Sequence, residues 1–525
     1  MHVARSQWLD RLTGRSGAAL LFVAALVAYW IEALAWPLHR GRDSWDYWLY
    51  FLELLDRHPP FSALMAFRTP LAPLVTGAPM IVGGARLLEV VMALIYAAAV
   101  VCWAWAARPF GRVAALVTAL VVLAALPYAA LFHEVSSDFL AAALLAPWAG
   151  FVVRVVLVPS TGALIGVGLG TAALALARPA NQALVLVVVA AALLAAGSWR
   201  VRAGRLGIAL ASALVPLAIW AGHNAVRYDD FAVARGNKAW VPFFKVAGWI
   251  EPGDGPASRR LANAVRRDVL TLPQYRRLGV DVNTYFDGVS NLEIIRMIAL
   301  SDSDFGWSSD YDVLGDAAFE AVRHHPRRYV DGVASTLWDF LSQRYAPAPV
   351  RRHQPEPPQP PSFLVDGKPM PSPEAVSPLV PAARYGFVWC PTDAIERCIL
   401  RDPSVAFRSA REQERYRELV GRIRDWNAQL PVRDGRPALE GKLSTLSWHA
   451  PRTFLWIAVA LVAIVVRRPR GWPALLLLIA AGLLVLFVHA LSQSPQNAFA
   501  LPFVPLFVVA AVAALAGPRA ARDPA

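Results

Sequence analysis

Charge is the scarcest resource in this chain: Asp, Glu, Lys and Arg make up 17% of its 525 residues, while 56% are hydrophobic. A soluble protein of this length would spread charge over several domains. Here the apolar residues fall in long blocks, and blocks of about 17–25 residues match the thickness of a bilayer core. Cysteine is nearly missing, with three in all, and none has the paired spacing of a zinc site. Internal repeats are lacking. The formal net charge of +13 comes without an aromatic–basic RNA motif or a helix-turn-helix pattern, which argues against nucleic acid as a partner. Most of the basic excess is arginine at helix ends and in short loops, where it sets topology and meets anionic membrane lipids. The first apolar block, 17–38, is too long for a cleavable signal and has no convincing cleavage site, so it is read as a signal anchor.

What is present is an all-α polytopic membrane pattern. Ten spans are expected near 17–38, 87–107, 112–131, 139–158, 161–177, 181–198, 205–223, 453–466, 473–490 and 498–517. Arg5, Arg11, Arg15, Arg108, Arg112, Arg154, Arg200, Arg202, Arg205, Arg467, Arg468, Arg470, Arg519 and Arg522 then fall on one side. The positive-inside rule makes that side cytoplasmic, together with both termini. This suits a multi-pass protein of a plasma (inner) membrane. Residues 1–223 form a seven-span module with a first external loop at 39–86, and 451–525 carry the last three spans. Between them, 224–450 is expected as a mostly helical extracytoplasmic domain with a proline-rich loop at 346–381.

The first external loop carries five arginines against the charge rule, and an anionic ligand is one reason for that. It also holds Asp43 and Asp46, three residues apart and so on one helical face. Two carboxylates that close repel, and raising the pKa of one would suit a general base. The blander alternative is that one of them caps the following helix. Glu134 and Asp138 sit on the next external turn, where Ser136, Ser137 and Asp138 could equally cap span four. Arg68 and Arg178 are permanent cations at the same face, and the guanidinium fork suits a phosphate. Arg178 is the stronger candidate, because a two-span hairpin turn offers little bulk water; the alternative is snorkelling to headgroups. Arg42, Arg235, Lys238 and Lys245 are weaker candidates. His133 is a lone interfacial histidine, which is not usually a ligand.

Of the remaining signals, Cys102 is a small apolar filler within a span. Cys390 and Cys398 are eight residues apart in the external stretch. A disulfide and two free thiols both remain open. Ser301-Asp302-Ser303-Asp304-Phe305-Gly306 has the alternating acids of a calcium loop without its closing glutamate, so a turn is the reading. His324-His325-Pro326 reads as a helix end.

The order Asp43, Ser44, Tyr47, then Arg68, Pro70, Pro73 and Leu74, resembles the first external loop of the GT-C superfamily of membrane glycosyltransferases. That fold is shared by bacterial protein O-mannosyltransferases and lipid A aminoarabinose transferases. The segment from His133 to Asp138 and the pair Arg178-Pro179 are similar to further family motifs, so the resemblance covers roughly residues 17–230. It implies a GT-C-like transmembrane module and transfer of a sugar from a polyprenyl-phosphate donor to a glycan, lipid or protein acceptor, with inversion. On that resemblance Asp43 is the base, with Asp46 its rival. Glu134 and Asp138 orient the acceptor or hold a divalent metal, no other cofactor being implied. Arg178 and Arg68 bind the donor phosphate, and Tyr47, Pro70 and Pro73 shape the loop. The family's Arg-Tyr pair before the last span has no counterpart in Ser494-Pro495-Gln496-Asn497-Ala498-Phe499. Two other classes compete: a flippase or transporter of lipid-linked glycans, and a non-catalytic envelope assembly factor. A transporter would place charge near the midplane, often with repeats, whereas these acids cluster outside the spans.

Overall fold

The structure is a computed structural model. It describes residues 15–41, 43–56, 67–352 apart from short breaks between 272 and 310, the short strands at 364–365 and 368–369, 410–492 and 499–519. Cys390 and Cys398, Arg42 and the stretch 494–497 lie outside the described residues.

The fold is helical. Among the described residues, four helices are long and apolar enough to cross a membrane: Leu71–Phe110, Asp138–Leu157, Trp199–Tyr228 and Trp472–Ser492. Two bent pairs, Arg112–Leu123 with Leu126–His133 and Pro437–Trp448 with Thr453–Arg467, bring the number to six if each is one span. Shorter apolar helices at Ser16–Glu32, Thr161–Ala177, Pro179–Leu194 and Leu501–Ala516 coincide with the remaining expected spans. The chain is a membrane protein on this pattern. The Asp138–Leu157 helix packs against both Leu71–Ala107 and Thr161–Ala177, and the last packs against Trp199–Tyr228. Small residues set these approaches, because dispersion between close backbones is what holds apolar helices together in lipid. A Cβ on Gly168 would stand 2.4 Å from the Ala209 carbonyl oxygen.

One boundary differs from the sequence expectation. Residues 71–86 are not loop: the helix starts at Leu71, with Pro70 at its N-cap and Pro73 in its first turn, where proline lacks no hydrogen bond that the helix would use. It runs to Ala107 across a kink at Gly84, whose φ of 63° and ψ of −160° only glycine adopts without strain. The prolines and glycines of this stretch read as loop signals, yet they mark a helix start and a kink.

Among the described residues, two large apolar cores, beside two small clusters, hold the rest. The larger fills the bundle and takes in Val420, Ile423 and Trp426 of the returning chain. The smaller gathers Phe243, Leu261, Tyr285 and Leu314 from the stretch between the two sets of spans, together with Tyr50 and Phe67 of the first loop. The first loop is therefore wedged between both cores. Its helix, Ser44–Leu55, is gripped by Ala410–Ala428 through an edge-on contact between Trp48 and Trp426, centroids 5.7 Å apart, and Arg415 pairs with Asp56 at 2.9 Å.

Candidate active site

Antiparallel neighbours put the start of one helix beside the end of the next. Asp138 opens the Asp138–Leu157 helix, and Arg178 ends the helix that follows it, Thr161–Ala177. The two side chains form a buried ion pair. Arg178 Nη2 lies 3.0 Å from His489 Nε2, on the Trp472–Ser492 helix, and its guanidinium stands over the Phe499 ring at 4.8 Å. His489 Nδ1 is 2.8 Å from the Val485 carbonyl oxygen. A carbonyl can only accept and a guanidinium can only donate, so Nδ1 carries the proton and Nε2 accepts from Arg178.

The first loop reaches the same place. A two-residue strand, His39–Arg40, pairs in parallel with Glu134–Val135 and fixes the first loop against the second. Asp43 takes the N-cap position of the Ser44–Leu55 helix but makes no capping bond with its side chain. Instead it turns to Arg68 at 3.3 Å, and Asp46, one turn on, bonds the same Nη2 at 2.8 Å. Arg68 also lies over the Tyr47 ring, at 5.8 Å. The neighbouring guanidinium answers the repulsion expected of two close carboxylates. Asp43 is the more accessible of the pair, with 23% of its side chain exposed against 10% for Asp46.

Tyr47 joins the two halves. Burial, and then the Asp43 carboxylate, hold its phenol above the ordinary value, while Arg68 and a hydrogen bond with Ser137 pull the other way. It therefore stays protonated and can serve as a neutral hydrogen-bonding group between the loops. Tyr345, from the chain after the Pro326–Ser342 helix, is also held above its ordinary value, first by burial and then by Glu134 and Asp138. Asp43, Asp46, Tyr47, Arg68, Glu134, Asp138 and Arg178 thus converge, while Arg235 sits elsewhere, against Tyr311 at 3.2 Å, and Lys245 bonds Thr336. His133 faces Glu32 at 3.5 Å and stacks on Tyr29.

Three participants were not singled out from sequence. His489 could have been: an ionisable side chain inside an apolar span is a functional candidate by default. Tyr345 and Phe499 carry no local signal, since aromatics beside proline-rich segments are common. As to a metal, Asp43 and Asp46 both engage Arg68 and Asp138 engages Arg178, so these carboxylates do not present a ready ligand set. Among the described residues, three ligand atoms gather within 4.8 Å of one another at Glu251, Asp254 and His325.

No family model and no curated protein matches the sequence. Among solved structures, the chain is similar to ArnT from Cupriavidus metallidurans bound to undecaprenyl phosphate, with 16% identity over 96% of this chain and 78% of that one, at a TM-score of 0.34. It is similar also to the oligosaccharyltransferase AglB from Archaeoglobus fulgidus in complex with an inhibitory peptide and a dolichol-phosphate, with 13% identity over 96% of this chain and 50% of that one, at a TM-score of 0.37. At such values the likeness says nothing of what the chain does.

Proposed function

We propose that the chain is a membrane glycosyltransferase that moves a sugar from a polyprenyl-phosphate donor to an acceptor hydroxyl at the outer face of the membrane. The observation that carries this reading is the meeting of two acid–arginine units, Asp43/Asp46 with Arg68 and Asp138 with Arg178, at one end of an apolar bundle. Charge in such surroundings is costly and is kept where it handles charged or reacting groups. In this proposal residues 224–450 face the same outer side and both termini the cytoplasm, as the arginine distribution suggests.

Transfer needs a base for a poorly nucleophilic hydroxyl and cations for a departing phosphate. Asp43 is the base in this scheme, being the more open carboxylate and the more loosely held by Arg68. The acceptor oxygen attacks the anomeric carbon as its proton passes to Asp43, the bond from that carbon to the phosphate oxygen breaks, and the lipid phosphate leaves with the electron pair. One displacement inverts the centre, and no carboxylate is needed as nucleophile. Arg178 faces the phosphate, and Glu134 with Tyr345 borders the acceptor side.

The test is sugar transfer by the chain reconstituted in lipid vesicles with a polyprenyl-phosphate sugar. Asp43→Asn should lower the rate by about 10²–10⁴, with donor binding and protein level near those of the unmodified chain. Full activity in Asp43→Asn would pass the role to Asp46 or end the enzyme reading.

A further inference from the structure

Outside the site just described, one cluster of side chains has the chemistry of a metal centre. The turn Glu251-Pro252-Gly253-Asp254 is closed twice over: the Asp254 amide donates to the Glu251 carbonyl at 3.0 Å, and the Glu251 amide donates to Asp254 Oδ2 at 2.9 Å. This fixes the Asp254 carboxylate within the turn, while the Glu251 side chain is 69% exposed and reaches the cluster from its rim. Facing them is the corner between the helices Asp312–His324 and Pro326–Ser342, where His325 leaves helical geometry with φ −122° and ψ 49° because Pro326 ends the run. His325 Nε2 points at Glu251 Oε1 from 3.8 Å, and His324 Nδ1 stands 3.9 Å from Asp254 Oδ1.

Those separations decide between two readings. They are too long for hydrogen bonds, so the histidines are not simply bonded to the acids. Two ligand atoms on one tetrahedral zinc, each at about 2.0–2.2 Å from it, stand roughly 3.4 Å apart, which a small side-chain rotation would reach from the present positions. Two further observations point the same way. His325 Nε2 is buried and has no hydrogen-bond partner. The Asp254 side chain is only 4% exposed, and its Oδ1 faces His324 Nδ1 at 3.9 Å. Among the described residues, moreover, the basic side chains within ion-pair distance of Glu251 and Asp254 are these two histidines, with no lysine or arginine. A buried carboxylate without a permanent cation calls for one.

The surroundings are also rigid. Glu320, one turn before His324, accepts from the amides of Ala257 and Ser258 and from the Ser258 hydroxyl, at 3.0, 2.8 and 2.7 Å. This clamps the chain just beyond the turn onto the end of the helix that carries the histidines. We infer that Glu251, Asp254 and His325 form a binding site for a borderline divalent cation, zinc above all, with water completing the shell. Imidazole and carboxylate together favour zinc over calcium or magnesium. Its role is structural: it ties the 251–254 turn to the corner between two helices. It is independent of the transferase reading.

The test uses the full chain in detergent, stripped with a chelator and titrated with zinc against a chromophoric competitor, with bound metal counted by elemental analysis. One zinc per chain is expected. His325→Ala should bind it at least about 100-fold more weakly, since losing a ligand exceeds the 10–100-fold typical of an outer-shell partner. Glu251→Gln should weaken it comparably. Circular dichroism of both variants, matched against the stripped unmodified chain, confirms that they fold. Zinc should also raise the melting temperature of the unmodified chain and not of His325→Ala. Zinc bound with the same affinity by His325→Ala and Glu251→Gln, or no zinc bound at micromolar concentrations by the folded unmodified chain, overturns the assignment.

Discussion

Asp138 and Arg178 stand 40 residues apart in sequence and meet as an ion pair at the end of two antiparallel helices. Their side chains are 13% and 9% exposed, so each neutralises a charge that would otherwise be stranded in an apolar bundle. Removing one partner of such a pair costs about 3–5 kcal/mol, mostly through the charge left behind. Asp138→Asn and Arg178→Ala should each lower stability by an amount of that order, and the double variant should lose clearly less than their sum. Thermal unfolding of the detergent-solubilised chain measures this. Strict additivity would mean that the two side chains do not depend on each other.

Much of this site could be read before the structure, and the reasons are physical. Asp43, Asp46, Glu134, Asp138 and Arg178 are conspicuous because charge next to apolar spans is rare and must be compensated. The spacing of apolar blocks alone places them at one end of the bundle. Pairing could not be read in the same way. That Arg68 would lie between Asp43 and Asp46, or that Asp138 would hold Arg178, depends on how helices distant in sequence come together. The contribution of His489 and Phe499, more than three hundred residues from Arg178, has the same origin. The start of the Leu71–Ala107 helix was masked differently: proline at an N-cap and glycine at a kink look locally like loop, and only the packing of 71–83 against its neighbours reveals the helix.

The kink at Gly84 gives a second prediction. With φ at 63° and ψ at −160°, a side chain there costs roughly 1–3 kcal/mol in backbone strain alone. Its Cβ would also stand 2.4 Å from Gln429 Oε1, the atom that accepts from the Ala85 amide at 2.9 Å. Gly84→Ala should therefore destabilise by at least this strain. Adding Gln429→Ala removes the clash and leaves the strain, so it should restore only part of the loss. Full recovery in a melting experiment would show that the backbone was never strained.

A third concerns Arg433, whose fork grips both oxygens of buried Glu89 at 2.9 Å and also reaches the Ala33 carbonyl at 3.2 Å. Three stretches of chain distant in sequence are joined there by one guanidinium. Lysine has the charge but not the fork. Arg433→Lys should cost about 1.5–3 kcal/mol, the worth of a hydrogen bond to a charged group. Arg433→Ala should cost more, because Glu89 is then buried without its cation. Equal stability of the two variants, measured by thermal unfolding, would show that charge alone matters at this position.

The last prediction separates the two arginines of the proposed site. Arg68 is shared by two carboxylates, so its charge is already more than balanced. Arg178 faces one carboxylate, a neutral histidine nitrogen and an aromatic ring. A guanidinium has five N–H donors, and the contacts of Arg178 with Asp138 and His489 engage two of them. Arg178, balanced by a single carboxylate, thus has N–H donors left for a lipid phosphate, whereas Arg68 is already over-compensated by two carboxylates. Losing a hydrogen bond to a charged group costs about 1.5–3 kcal/mol, so Arg178→Ala should weaken polyprenyl-phosphate binding roughly 10- to 100-fold per folded protein. Arg178→Lys should recover part of it, since lysine offers a point charge without the fork. Arg68→Lys should leave donor binding near normal and lower the transfer rate instead, through Asp43. Binding measured with a labelled lipid phosphate in vesicles distinguishes these outcomes. If it is indifferent to Arg178 and collapses without Arg68, the phosphate sits at the first loop. If neither substitution changes it, the chain does not act on lipid-phosphate sugars.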